Sequence, residues 1–178
     1  MTKVFKFGGT SIKDANNIKR IAEILTKYAS EDLVVVFSAI GKITNILEEV
    51  VESYMQKNGQ AEDKLQLVKD FHVHLLSELF ESNHAIYNEV NNLFVEIEWV
   101  LEDEPNPDYA FNYDQIVSIG ELLSTKIMSA YLNQNGFENF WMDARDIIRT
   151  DNKYRNARID WKQTISSCKE NIKSFPII

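Results

Sequence analysis

Lys6-Phe7-Gly8-Gly9-Thr10-Ser11 is the first stretch of this 178-residue chain with residue types and spacing suited to chemistry. It follows the hydrophobic run Val4-Phe5 and leads into an amphipathic helix pattern. A strand, a glycine turn and a helix make a seat for phosphate. Glycines let backbone N–H groups approach an anion, and the helix start points its dipole at it. Lys6 adds a full charge beside the turn. The lysine precedes the glycines, so this is not the Gly-x-x-x-x-Gly-Lys loop, and the spacing is not that of the dinucleotide fingerprint. Read alone, the segment is equally a tight turn with Lys6 as an edge-strand charge.

Three more polar clusters follow: Ser38-Ala39 with Gly41, Thr44 and Asn45; Ser118-Ile119-Gly120-Glu121 with Ser124; and Asp143-Ala144-Arg145 with Arg149-Thr150. As ordinary structure, Ser38 and Thr44 are turn and cap residues. Glu121 then complements a helix dipole, and Asp143 with Arg145 makes an ion pair. His72 and His74 lie two apart on a helix and cannot share a metal, and no metal site is expected.

The elements that must position these groups are legible. Ile18, Ile21, Ala22, Leu25 and Tyr28 share one face of a helix from Asp14 to Tyr28. Leu33 to Phe37 is a continuous apolar run that reads as a strand buried on both faces. Ile43 to Asn58 is a second helix, so the chain opens as a right-handed parallel βαβα unit. Residues 61 to 102 carry two helical stripes joined near Ser82-Asn83. Leu65, Val68, His72, Leu75, Leu76 and Leu79 form one stripe; Ile86, Val90, Leu93, Phe94, Ile97 and Leu101 form the other. Pro105-Asn106-Pro107 closes this helical insertion, about 61–104. A further helical stretch reaches Leu132 with an interruption near Gly120, and Asn135-Gly136 stops it. Phe140 to Met142 and Ile147 to Thr150 read as short strands, and Asp160 caps a last helix to about Lys173. Phe175-Pro176-Ile177-Ile178 reads as an edge strand cut as it begins, with its neighbours missing.

Composition narrows the partners. Hydrophobic residues make up 44%, enough for a packed core. A net charge of −8 speaks against nucleic acid or an anionic membrane, though not against a small anion held by local cations. Lys6, Arg145, Arg149, Arg155 and Arg158 are placed to supply these. No apolar run is long enough to span a bilayer. The lone cysteine, Cys168, fits a reducing, cytoplasmic setting and reads as a half-buried helix residue.

Taken together the clusters resemble the aspartokinases. Lys6-Phe7-Gly8-Gly9-Thr10-Ser11 is similar to their signature, and Phe37-Ser38-Ala39-Ile40-Gly41-Lys42-Ile43-Thr44-Asn45 to their serine-alanine turn. Ser118 to Ser124 is similar to their glycine-glutamate segment. Asp143 to Asp146, Arg149 to Asp151 and Asn156 to Arg158 are similar to the region after it. The resemblance implies an α/β amino-acid kinase fold of the carbamate-kinase kind, three-layered around a mainly parallel sheet. It implies transfer of the ATP γ-phosphoryl group to the β-carboxylate of L-aspartate, with Mg2+ carried mainly by the nucleotide. Lys6, Gly8, Gly9, Thr10 and Ser11 would hold phosphate, with Lys6 catalytic. Ser38, Ala39, Thr44 and Glu121 would hold aspartate, with Asn45, Gly120, Ser124, Asp143 and Arg145 around them. It also implies that residues 1–178 are the amino-acid-binding lobe of a longer homo-oligomeric parent, inactive alone. The nucleotide-binding lobe and ACT regulatory modules would lie elsewhere. A related kinase acting on glutamate or a carbamate, or a non-catalytic amino-acid-binding module, are the alternatives.

Overall fold

The computed structural model describes residues 2–172 and 177–178. Strand β1 (Lys3–Phe7) pairs in parallel with β2 (Leu33–Phe37), in register Lys3 with Leu33 through Phe7 with Phe37. Helix α1 (Ala15–Thr26) makes the crossover, and α2 (Ile43–Gln56) follows β2. Asp14 starts α1 by accepting from the Asn17 N–H at 2.9 Å. The parallel βαβα opening is therefore as the periodicity requires.

The end of the chain lies inside the sheet, not at its edge. Ile177 bridges Val34 on one side and Phe140 on the other, both in parallel. The Val35 N–H donates to the Ile177 carbonyl at 2.9 Å, and the Met142 N–H to the Ile178 carbonyl at 2.8 Å. Both isoleucines are buried, so the expectation of an edge strand with missing neighbours is corrected. Phe175 and Pro176, and the end of the last helix at Lys173, lie outside the described residues. Phe140 contributes one bridge rather than a full strand.

The expected burial of β2 on both faces is also corrected. Phe5, Phe7, Leu33, Val35 and Phe37 face the core, while Val4 and Val36, on the other face, are 67% and 46% exposed.

The middle of the chain is helical, as its two stripes require. Helix α3 (Ala61–Leu79) packs on α2 and on α4 (Ile86–Glu102). Every residue of the first stripe is buried; in the second, Leu101 alone is half-buried. Burying each such leucine or isoleucine contributes about 1.5–3 kcal/mol against the exposed state. Helices α5 (Tyr109–Val117) and α6 (Ile119–Gln134) follow, breaking at Ser118, two residues before the expected interruption. The Ser118 hydroxyl donates to the Asp114 carbonyl at 2.7 Å at this break. Gly120 lies inside α6, where its lack of a side chain serves packing.

Helix α7 (Ala144–Ile147) takes residues expected in part to be extended; only Thr150 pairs, antiparallel to Ile159. Asp143 explains this, because its carboxylate caps the Arg145 N–H at 2.9 Å. Asp160 caps α8 (Trp161–Asn171) through the Gln163 N–H, as read. No helix among the described residues is long and apolar enough to cross a membrane.

His72 is the one polar member of the α3 stripe. It is fully buried between Phe71 and Phe94, and its Nδ1 donates to the Val68 carbonyl at 2.7 Å. Its Nε2 has no partner. Burial depresses its pKa to about 4, against 6.5 in an unfolded chain. Above pH 6.5 both states are neutral and proton uptake adds no cost. As pH falls through 6.5 toward 4 the unfolded chain takes up a proton that the folded one refuses. Stability is expected to fall by on the order of 2 kcal/mol between pH 6.5 and 5. Urea midpoints across that range read this fall, and His72→Leu should flatten it.

Candidate functional site at the strand ends

Beyond Phe7 and Phe37 the two parallel strands run into turns that touch. The Gly41 N–H donates to the Gly9 carbonyl at 3.1 Å, and the Ser38 N–H to the Phe7 carbonyl at 3.1 Å. A Cβ on Gly9 would stand 2.5 Å from the Ala39 carbonyl oxygen and 2.9 Å from that of Gly41. Only glycine allows this approach. Gly41 itself has φ +56, which a side chain would strain.

Gly8 is different. Its φ is −80, which any residue adopts, and a Cβ there would meet only the Lys6 ammonium, 3.5 Å away. The Lys6 side chain, exposed on β1, thus bends over the glycine turn. Thr10 and Ser11 lie exposed in the 3-10 turn that follows, with the Ser11 N–H bonded to the Gly8 carbonyl at 2.8 Å. The first cluster therefore combines an ammonium and an open backbone turn.

The third cluster joins the second. Gly120 lies against Ala39: a Cβ there would be 3.1 Å from the Ala39 Cβ and 3.1 Å from Leu47 Cδ1. This fit brings the next residue of α6, Glu121, to the Ser38–Ala39 turn, where its Oε1 accepts from the Ala39 N–H at 3.4 Å. Burial raises the Glu121 pKa, and the Ala39 hydrogen bond only partly opposes this. Thr44, half-buried, and Asn45, exposed, stand in the first turn of α2, next to Gly41. Ser124 is buried, its hydroxyl spent on the Glu121 carbonyl at 2.9 Å, so it steadies α6 and makes no contact in the turn.

A cavity of about 390 Å3 opens beside these groups, lined by Val34, Val36, Leu122 and Ile178 and edged by Glu121 and Ser118. Asp143 and Arg145 close its far side. These two form a fork, with Arg145 Nη2 donating to Asp143 Oδ2 at 2.6 Å and Nε to Oδ1 at 3.0 Å. Burial works against ionisation of Asp143, but the hydrogen bonds and charge of Arg145 outweigh it and hold the carboxyl below its ordinary range. The pair is thus the ion pair that the sequence allowed, and it borders the cavity too. Ser118, quoted in the sequence motif but not singled out as a site residue, lines the same cavity; its place after a helix break is the signal that could have marked it.

The basic residues divide. Arg149 donates to the carbonyls of Arg145 at 3.4 Å and Asp146 at 2.9 Å, and Arg155 lies over the Tyr113 ring. Neither is drawn into the glycine turn. No group of three or more metal-ligating side chains gathers among the described residues. His72 is buried while His74 is exposed, so the two do not meet a common ion.

The family model described as Amino acid kinase family matches residues 1–178. The chain is 33% identical to "Aspartokinase 1, chloroplastic" of Arabidopsis thaliana over 85% of this chain and 27% of that protein. It is 31% identical to "Lysine-sensitive aspartokinase 3" of Escherichia coli (strain K12), over 88% of this chain and 34% of that one. The crystal structure of E. coli aspartokinase III in complex with aspartate and ADP superposes with a TM-score of 0.84 at 28% identity. It covers 97% of this chain and 37% of its own. The chain thus spans about a third or less of the length of these relatives.

The contrast between the two glycines is measurable. Gly9→Ala is expected to destabilise the protein by about 1–3 kcal/mol, because backbone must shift. Gly8→Ala should change stability by no more than about 0.5 kcal/mol. Thermal unfolding of the two variants reads the difference, and equal losses would put the close approach elsewhere.

Proposed function

The chain belongs to the amino acid kinase family, and from that premise we propose that it is the amino-acid-binding part of an aspartate kinase. The reaction is transfer of the ATP γ-phosphoryl group to the β-carboxylate of L-aspartate, giving 4-phospho-L-aspartate. One observation carries the reading: the Gly8–Gly9 turn, the Ser38–Ala39 turn and Glu121 meet at the carboxyl ends of β1 and β2. Ligands of open α/β sheets bind at that place.

Division of labour follows from charge. Gly8, Gly9, Thr10 and Ser11 offer N–H and hydroxyl donors to phosphoryl oxygens, and Lys6 neutralises the charge that develops during transfer. The residues fit such a group: the Gly8 side of the turn is open and carries the Lys6 ammonium. Mg2+, arriving with the nucleotide, supplies further charge neutralisation when bound. Ser38 and Thr44 donate to the carboxylate of the amino acid, aided by the N-terminus of α2. Glu121 accepts from its α-ammonium. Burial makes that pairing strong and selective, since an acceptor without an ammonium leaves a buried carboxylate unpaired. Asn45, Gly120, Asp143 and Arg145 shape the surroundings.

The share of the relatives that this chain spans supports assigning it the amino-acid-binding lobe, with residues 61–104 as a helical insertion. The nucleotide-binding lobe and ACT regulatory modules then belong to other parts of a homo-oligomeric, cytoplasmic parent.

Turnover by the full-length protein, with aspartate and glutamate compared side by side, tests the acceptor. Lys6→Ala should lower kcat by about two to three orders of magnitude. Its melting temperature should stay put, because Lys6 is exposed. Near-normal turnover would reduce Lys6 to a surface charge.

Glu121→Gln should raise the aspartate KM and leave the ATP KM alone. The raised pKa of Glu121 adds a pH signature. Acidification protonates this carboxyl earlier than an exposed one, so the aspartate KM should climb as pH falls, with Glu121→Gln flattening that climb. A raised ATP KM with an unchanged aspartate KM would place Glu121 in the wrong pocket.

A further inference from the structure

Away from the strand ends, a cluster of aromatic and charged side chains ties three elements together. Tyr113 in α5 donates from its hydroxyl to Glu48 Oε1 at 2.7 Å. Glu48 stands one helical turn beyond Thr44, on the same face of α2. Burial, the Glu48 hydrogen bond and its charge push the Tyr113 pKa up to about 12, so the phenol remains a donor at any working pH.

The third element is the 3-10 turn Tyr154–Asn156. Arg155 lays its guanidinium over the Tyr113 ring, 3.9 Å from the centroid, and 6.0 Å from that of Tyr109. Tyr154 meets Phe111 edge-on, with ring centroids 5.3 Å apart. Its φ is +48, a left-handed conformation that costs a bulky side chain energy. Contacts with α5 must offset that cost, and such strain gathers where a position has to be fixed.

Helix α5 is therefore gripped from two sides. The strained turn docks on its aromatic residues, and Tyr113 passes the constraint to α2. At its far end α5 meets α6 at Ser118, three residues before Glu121.

We infer that Arg155 and Tyr113 are positioning residues: they dock the Tyr154–Asn156 turn on α5, hold Glu48, and so fix the first turn of α2 where Thr44 meets the amino-acid substrate. The inference rests on the reading of Thr44 as a substrate contact. Glu48 itself is a relay and touches no substrate. Arg155 acts through the ring it covers, and its charge also reaches Asp114.

The test uses Tyr113→Phe, Arg155→Ala, Arg155→Lys and Glu48→Ala in the full-length protein. Tyr113→Phe and Arg155→Ala should each raise the aspartate KM about tenfold while kcat and the ATP KM stay within about twofold. Arg155→Lys keeps a cation on the ring and should recover most of the loss. Tyr113→Phe combined with Glu48→Ala should be no worse than the worse single variant, because both break one link. Amide hydrogen exchange across Thr44–Leu47 should quicken in Tyr113→Phe and Arg155→Ala, whichever acceptor the protein uses. Unchanged exchange there overturns the inference, as does a drop in melting temperature with the aspartate KM unmoved. Failure of the aspartate kinase reading looks different: the unaltered protein then turns over no aspartate, while the exchange result still decides the relay.

Discussion

The contact between two backbone turns governs everything else at this site. Gly9 sits so close to the Ala39 carbonyl that a single added carbon would be at 2.5 Å. The Gly41 N–H seals the approach by donating to Gly9. Because β1 and β2 are parallel and in register, their ends arrive side by side, and the turns after them must pack backbone to backbone. Gly120 extends the same logic to a third element. Its missing side chain lets α6 close on Ala39, and the residue that follows it, Glu121, reaches the Ala39 N–H as a result. Two glycine-dependent approaches thus bring the Glu121 carboxylate and the Ser38–Ala39 turn together beside the Gly8–Gly9 turn.

Those approaches need a rigid backing. The helical core of α2 through α6 supplies it, with apolar stripes that leave little freedom between the strands and the helices. The core also carries a defect. His72 stands where a leucine would satisfy the pattern, with one nitrogen bonded and the other orphaned. Since α3 packs on α2, the histidine lies one helix away from the turn that bears Thr44.

Sequence revealed most of this where local rules decide. Periodicity located α1, α2 and the helical pair, and Asp160 marked the start of α8 because an N-cap needs only its own neighbours. It misread what tertiary context decides. Leu33–Phe37 looks buried on both faces, yet Val36 is 46% exposed, because a run of β-branched residues carries no mark of which face the helices cover. Ile177 and Ile178 look like a loose edge, yet they are held between Val35 and Met142, partners far away in sequence. Ile147 looks extended but falls in α7, started by the Asp143 cap. At the site, the residue types were visible, and so was the order of the clusters. The division between Gly8 and Gly9 was not, because it depends on how near Ala39 comes. Ser124 belongs to the glycine-glutamate cluster in sequence, but its hydroxyl turns back on its own helix, as buried serines in helices commonly do.

Charge placement decides where a chain of net charge −8 offers a seat to an anion. Five cations were candidates in the sequence, and the fold commits three of them elsewhere. Arg145 is forked onto Asp143, Arg149 onto carbonyls at the end of α7, and Arg155 onto the Tyr113 ring. Each carries structural work that a mobile side chain could not also do for a ligand. At the glycine turn itself stand the Lys6 ammonium and oriented N–H groups, the latter short-range and directional. A local field of that kind does not need a basic protein. It stabilises charge only where the backbone points, so recognition depends on the turn keeping its shape, and the shape depends on Gly9 lying against Ala39.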